Sequence, residues 1–89
     1  MTLHIISKTS QHVSLYRLKS LVSADDTVLL IADACYDFAR YQQINGQHLF
    51  LLAPDATARL STDDLAQLNT ITHSQWVELT LTHQQIISW

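Results

Sequence analysis

Short apolar runs alternate along this chain with stretches whose apolar positions recur at helical spacing. The runs are of strand length and predict five strands, at Leu3–Ile6, Thr27–Ala32, Leu49–Leu52, Thr70–Thr72 and Ile86–Trp89. The second run, TVLLIA, is apolar from its second position onward. Such a run is typical of a strand that is buried on both faces of a parallel sheet.

The stretches between these runs predict four helices, over Val13–Val22, Ala34–Gln43, Pro54–Leu60 and Trp76–Leu81. Ser10 is a candidate N-cap for the first helix and Asp33 for the second, because a short side-chain oxygen can accept from free N–H groups there. Asn45-Gly46 is a stop signal for the second helix, since both residues tolerate left-handed dihedral angles. Thr72 and Gln75 have the T-x-x-Q spacing of a capping box for the last helix.

The predicted elements follow the order β-α-β-α-β-α-β-α-β with short connections. This alternation predicts an α/β fold in which a parallel sheet is covered by helices on both faces. The 89 residues suffice for one core and are too few for two, so residues 1–89 are expected to form a single domain. Asp63-Asp64 is interpreted as a solvated turn.

Composition removes several classes of function. A single glycine excludes the phosphate-binding loops, and a single cysteine excludes disulfide frameworks and cysteine-rich metal sites. The net charge of −3 leaves no basic patch of the kind that tight nucleic-acid binding requires. The sequence also lacks a signal-peptide pattern and an apolar run of membrane-spanning length. We therefore expect a soluble cytoplasmic protein that has no membrane partner.

Cys35 is the candidate for a catalytic residue. It follows the second predicted strand in the first turn of a helix, where open α/β sheets bind ligands and where a helix N-terminus favours a thiolate. Asp37 would oppose a thiolate there, and no basic residue is close in sequence. The alternative interpretation of Cys35 is a small apolar side chain that packs under the helix.

The remaining polar residues predict no self-sufficient active site. The five histidines fall in five separate elements without the spacing of a helical zinc site, so no metal or cofactor is predicted. His4, in the first strand, is interpreted as a hydrogen-bonded core residue. Asp25-Asp26 is interpreted as a surface turn, and helix capping accounts for Asp33. Trp89 either closes the core or enters a partner surface.

Several segments together resemble the DsrH/TusB family. Leu3–Thr9 (LHIISKT) is similar to the family's L-H-x-x-x-K-S start, and Val28–Tyr36 (VLLIADACY) to its L-L-x-x-D-G-V-Y segment. Pro54–Leu60 (PDATARL) resembles E-D-L-x-A-R-G-L, and Ile71–Thr80 (ITHSQWVELT) resembles I-D-Y-x-x-F-V-x-L-T. A closing tryptophan, here Trp89, is also a family feature. The order, spacing and total length of these segments agree over essentially the whole chain.

The resemblance implies a fold and a role. The implied fold is the DsrE/F/H-like three-layer α/β/α domain with a mostly parallel five-stranded sheet. The implied role is that of a non-catalytic subunit in a TusBCD-like sulfurtransferase complex, which relays persulfide sulfur for 2-thiolation of the wobble uridine of certain tRNAs. The implied partners are TusC/TusD-like (DsrF/DsrE-like) subunits in a dimer of heterotrimers, with no direct contact between this chain and nucleic acid. The principal acceptor cysteine of such a relay sits on the TusD/DsrE-type subunit.

Departures from the family pattern leave alternatives open. DsrH proteins of sulfur oxidisers can carry a cysteine in the first helix, where this chain has Leu18, and this favours the TusB role over a DsrEFH-type role in sulfur oxidation. Cys35 stands where the family more often has valine or isoleucine, so the resemblance assigns it no role. Family glycines are missing at Ala34 and Leu60, and Thr72 replaces an aspartate. A sulfur acceptor that uses Cys35 and a free-standing homo-oligomeric domain therefore remain as alternatives.

Overall fold

A computed structural model describes residues 1–45 and 48–89. The strands are β1 (Thr2–Ile6), β2 (Thr27–Leu30), β3 (Leu49–Leu52), β4 (Thr70–Ile71) and β5 (Gln85–Ser88). The α-helices are α1 (Leu15–Leu21), α2 (Phe38–Asn45), α3 (Ala53–Arg59), α4 (Thr62–Ala66) and α5 (His73–Thr82). Two 3-10 helices, Ser10–His12 and Ala32–Asp37, precede α1 and α2. Within the described ranges, no helix has the length and apolar content needed to span a membrane.

The strands form one parallel sheet in the order β4-β3-β2-β1-β5. The chain therefore builds the sheet outward from β1 to β4 and then returns through α5 to place β5 against the free edge of β1. The predicted α/β fold with a parallel five-stranded sheet is confirmed. The central strand β2 is buried along its whole length, as its uninterrupted apolar run predicts.

The two faces of the sheet are covered to different extents. On one face, which we call the closed face, α1, α2 and α3 pack over the strands, and Leu18, Cys35 and Tyr41 are fully buried. On the other face, which we call the open face, α5 is the helix that packs on the core, through the partly buried Trp76 and Leu79. None of the residues of α5 is itself buried. The fold therefore has one thick layer and one thin layer of helix.

Capping signals explain where α1 and α5 begin. Thr72 Oγ1 accepts from the backbone N of Gln75 at 3.2 Å, and Gln75 Oε1 accepts from the backbone N of Thr72 at 2.8 Å, so the predicted capping box is confirmed. Ser14 caps α1, because its Oγ accepts from the backbone N of Arg17 at 3.3 Å. The predicted cap at Ser10 is wrong, since Ser10 belongs to the preceding 3-10 helix. A serine nearer to the regular helix satisfies the free N–H instead.

The end of α2 and the start of α4 are two further boundaries that the sequence predictions concern. The described part of α2 reaches Asn45, whereas Gly46, the second residue of the predicted stop signal, lies outside the described residues. Asp63 and Asp64 do not form a simple turn but lie in the first turn of α4, which Ser61 caps through the backbone N of Asp64 at 3.2 Å. Acidic residues are favoured in the first turn of a helix. Asp63 and Asp64 therefore fit a short helix, although two adjacent aspartates are also typical of a turn.

Candidate functional site

Cys35 lies in the 3-10 helix that follows β2, at the carboxyl end of the sheet, where the sequence predicts it. Its side chain is fully buried, and Sγ is 3.6 Å from the carbonyl oxygen of Leu30, to which the thiol donates a weak hydrogen bond. Burial is the main cause that raises the pKa of this thiol to about 11, and the carboxylate of Asp55 adds to the rise. The sulfur therefore has neither the exposure nor the charge that a nucleophile needs.

The 3-10 helix that carries this thiol is fastened to α3. Arg59 Nε donates to Asp33 Oδ1 at 3.3 Å, and the Arg59 guanidinium lies 5.9 Å from the centre of the Tyr36 ring. Asp55 Oδ2 accepts from the backbone N of Ala32 at 2.7 Å, and Ala32 has a left-handed φ of 50°. A non-glycine residue in that region costs of the order of 1 kcal/mol, which the bond to Asp55 offsets. Helix capping by Asp33 is wrong, because its carboxylate pairs with α3 instead.

A buried polar cluster lies beneath the closed face, centred on β1. His4 Nε2 is 3.0 Å from Asp26 Oδ2, and Trp89 Nε1 donates to His4 Nδ1 at 3.1 Å. Since an indole N–H can only donate, His4 Nδ1 is the acceptor, and Nε2 carries the proton that is donated to Asp26. His4 is 1% exposed, which confirms the prediction of a hydrogen-bonded core histidine.

Asp26 is the member of this cluster that sequence reasoning missed. It is 5% exposed and accepts from the backbone N of Thr2 at 2.9 Å and of Ser23 at 3.1 Å, in addition to His4. Burial by itself raises the pKa of Asp26, but the hydrogen bonds from Ser23, His4 and Thr2 outweigh it and hold the pKa well below its usual range. The interpretation of Asp25-Asp26 as a surface turn is therefore wrong for Asp26. The one local signal that could have identified Asp26 as buried is its position directly before a buried strand.

Trp89 closes the core of this chain. Its backbone N donates to the carbonyl oxygen of Ile5 at 2.8 Å, and its half-buried indole packs against the core of the closed face. The indole ring centre lies 6.1 Å from that of His4. Of the two predicted roles of Trp89, closing the core is the one that the structure shows.

The other histidines for which contacts are resolved make structural interactions around α5. His83 Nε2 is 2.9 Å from Thr27 Oγ1, and His83 Nδ1 is 2.7 Å from the carbonyl oxygen of Leu79. The first of these bonds joins the end of α5 to the start of β2, and the second lies within the end of α5. The His73 ring stacks on Trp76, with centres 6.0 Å apart. In residues 1–45 and 48–89, no three His, Cys, Asp or Glu side chains converge in a way that could hold a metal ion.

Large apolar side chains remain exposed on α5 and on β5. We call them the α5–β5 surface: Val77, Leu81 and Ile86. Val77 and Leu81 are one helical turn apart, and Ile86 lies beside Leu3 in the sheet register, on the face that α5 covers. A shallow groove beside α5 is lined by Phe50, Ile71, Gln75, Glu78, Leu79 and Thr82. Large apolar side chains that stay exposed are candidates for contact with another protein.

A second exposed surface lies on α1, at the opposite side of the sheet. We call it the α1 surface: Tyr16, Arg17, Ser20 and Leu21. Tyr16 is 82% exposed and Leu21 is 53% exposed. The other side of α1 is buried through Leu18, so the helix is amphipathic with an aromatic and a cationic residue on its outer side.

Comparison with known proteins places these features in a family. The chain matches the model of the family described as "DsrH like protein" over residues 8–86. It is similar to the protein named TusB of Yersinia pestis (strain Pestoides F) and to the protein of the same name of Yersinia pseudotuberculosis serotype O:1b (strain IP 31758). Each is 29% identical over 94 residues, which cover 98% of this chain and 99% of the relative. The similarity thus extends over nearly the whole chain and is not confined to one motif.

Proposed function

The chain belongs to the DsrH-like protein family, and we propose that it is a non-catalytic subunit of a TusBCD-like sulfurtransferase complex. Membership of this family supports a sulfur-relay subunit. In the proposed complex the chain acts as a single domain of residues 1–89 in the cytoplasm, together with TusC/TusD-like subunits in a dimer of heterotrimers. The complex relays persulfide sulfur for 2-thiolation of the tRNA wobble uridine.

The burial of Cys35 is the observation that carries the non-catalytic part of this proposal. In persulfide transfer, a thiolate attacks the terminal sulfur of a donor persulfide, a new S–S bond forms, and the donor sulfur leaves as a thiolate. Burial raises the pKa of the Cys35 thiol to about 11, so the thiol is protonated at pH 7, and its sulfur has no exposed surface. The buried, protonated thiol thus supports a complex in which the cysteine that accepts sulfur belongs to another subunit.

The exposed apolar side chains support the assembly part. The α5–β5 surface leaves Leu81 80% exposed on a helix that covers one sheet face almost alone. A partner subunit that packs there would remove this surface from water at a gain of about 25 cal/mol per Å². The DsrEFH-type alternative has less support in this chain, because Leu18, which is buried, stands where proteins of that type can carry a cysteine.

Co-expression tests the assembly. The chain would be tagged and produced with the TusC-like and TusD-like subunits of its own organism, and the mass of the purified material would be measured. We expect a stable complex of about twice the mass of one heterotrimer. A tagged chain that purifies alone, as a monomer or homodimer, would contradict the proposal.

Thiol chemistry tests the non-catalytic role separately. We expect Cys35 in the folded chain to react with a disulfide reagent far more slowly than in urea, because the buried thiol must first be exposed. A Cys35→Ala variant should assemble and support sulfur transfer at the wild-type rate. Loss of transfer by an intact complex that carries this variant would establish Cys35 as an acceptor and overturn the role proposed here.

A further inference from the structure

We propose that His4 is a proton-sensitive latch for Trp89: the neutral imidazole holds the indole against the closed face, and a second ring proton releases it. The bond that forms the latch joins β1 to the residue that follows β5, 85 positions away in the sequence. This inference goes beyond the proposed function and does not depend on it, because it concerns how one edge of the sheet is held.

The first argument is the direction of the hydrogen bonds at the His4 ring. Trp89 Nε1 donates to His4 Nδ1 at 3.1 Å, and His4 Nε2 donates to Asp26 Oδ2 at 3.0 Å. A neutral imidazole has one N–H group and one acceptor nitrogen, so both are used in this arrangement. A second proton adds to Nδ1, and two N–H groups then face each other. Because an indole N–H can only donate, the Trp89 side chain has to leave.

The second argument is the partner that a charged His4 ring keeps. Although burial raises it, the hydrogen bonds to Asp26 hold the pKa of its carboxyl group well below its usual range. Asp26 therefore stays ionised across the pH range in which histidines ordinarily take up a proton. Protonation strengthens the bond between His4 and Asp26, since both groups are then charged, while it removes the bond to Trp89.

The surroundings of His4 contain few other charges. Asp26 is the charged side chain that pairs with it among the described residues. The strands on either side of β1 place Val28 and Ile87 next to His4 in the sheet register. One further titratable group, His83, meets the start of β2 from α5, the helix of the open face. The other ionisable residues of the adjoining segments are exposed: Met1 with its amino group, Arg17, Lys19 and Asp25.

The third argument is that the latch fastens the end of an edge strand. β5 lies at the edge of the sheet beside β1, and its four residues are all exposed. Beyond β5, the backbone N of Trp89 donates to the carbonyl oxygen of Ile5 at 2.8 Å, and Ser7 Oγ donates to the main-chain oxygen of Trp89 at 3.5 Å. Strand ends that are held by few contacts open at the lowest cost, so we expect release of Trp89 to be local.

A second histidine–tryptophan pair in the chain provides an internal control. The ring centres of His73 and Trp76 are 6.0 Å apart with planes at 30°, against 6.1 Å and 33° for His4 and Trp89. His73 is exposed and stacks on the indole, so a proton on this ring adds a cation–π attraction to the stack. Acid should therefore leave Trp76 in place while it releases Trp89.

An NMR titration of the ¹⁵N-labelled full chain between about pH 8 and pH 4.5 tests the latch. The nitrogen–nitrogen coupling across an N–H···N bond reports the contact between Trp89 Nε1 and His4 Nδ1 directly. We expect this coupling at pH 8 and its loss on acidification, together with a shift of the Trp89 indole signal. The Trp76 indole and the backbone amides of β2 should keep their native signals.

Two glutamine variants separate the histidines. His4→Gln keeps one donor and one acceptor but cannot gain a proton, so its Trp89 signal should stay constant over the whole range. His73→Gln, the matched control, should leave the transition of Trp89 unchanged. The wild-type titration can refute the latch by itself, so the test does not depend on a folded His4→Gln variant.

Several results would overturn the latch. One is a Trp89 coupling and indole signal that stay unchanged down to pH 4.5, and another is a transition that persists in His4→Gln. A transition in which Trp76 and the amides of β2 change together with Trp89 would be unfolding of the whole domain. A coupling that is absent at pH 8 would show that Nδ1 does not accept from Trp89. The sulfur-relay role is tested separately by co-expression and stands or falls independently of these results.

Discussion

The closed and open faces of the sheet present the same strands to very different helical layers. The closed face lies under α1, α2 and α3, and its core side chains include Leu18 and Tyr41, which have no exposed surface. The open face lies under α5, whose side chains are all at least partly accessible. Parallel sheets are normally covered on both faces. Because α5 covers the open face thinly, apolar side chains there stay exposed to solvent in the isolated chain. The two faces therefore differ in how completely the helices of this chain bury them.

The buried polar groups follow the same division. On the closed face, the His4 side chain is bonded at both ring nitrogens, and the carboxylate of Asp26 accepts several hydrogen bonds. On the open face, the indole Nε1 of Trp76 is the one buried side-chain nitrogen or oxygen atom of the described residues that lacks a hydrogen-bond partner. Among the described residues, the buried side-chain polar atoms of the closed face are therefore all hydrogen-bonded, whereas one on the open face is not.

The largest expected difference between the faces is in leucine truncation. Leu18→Ala should destabilise the domain by about 3 kcal/mol, because it removes a fully buried side chain and leaves a cavity. Leu81→Ala, the same substitution at an 80% exposed position of α5, should change stability by less than about 0.5 kcal/mol. Urea unfolding of the isolated chain measures both. Similar losses at the two positions would show that α5 is as tightly packed as α1 and would remove the basis of the comparison.

The next difference concerns the buried carboxylate. Asp26→Asn should cost about 2 kcal/mol at pH 7, because it weakens hydrogen bonds made to a charged acceptor. The folded-state pKa of Asp26 lies below its unfolded value, so the stabilisation is complete above about pH 4 and is lost as the pH falls below that. Urea unfolding between pH 7 and pH 3 should show this loss in the wild type and less of it in Asp26→Asn. Asp25→Asn, at the exposed neighbouring position, should behave as the wild type does, and an equal effect of the two variants would contradict the assignment.

Sequence reasoning found the features that local signals determine. The apolar run of β2 predicts a fully buried strand, and the spacing of Thr72 and Gln75 predicts a capping box, because both depend on neighbouring residues alone. Asp26 was missed because its partners come from β1 and from a preceding turn, and nothing in its own segment separates it from Asp25. The two faces of the sheet are covered unevenly because most helices that connect the strands cross on the same face. The spacing of apolar residues does not indicate the face on which a helix crosses. The candidate site was predictable in position, at the end of β2, but the burial of its thiol depends on packing by distant helices.

The smallest expected difference compares the two tryptophans. Trp89→Phe keeps an aromatic ring but removes the indole N–H that His4 Nδ1 accepts, so a buried acceptor is left unpaired at a cost of about 1 kcal/mol. Trp76→Phe removes a similar amount of ring surface together with a buried N–H that has no partner among the described residues. Relief of that unsatisfied donor should offset the lost ring contacts and leave stability nearly unchanged. Urea unfolding of both variants gives their two losses of unfolding free energy. In the difference between these losses, the contributions of the smaller ring cancel. A larger loss for Trp76→Phe would mean that its indole is bonded in solution and that the open face is more complete than its packing indicates.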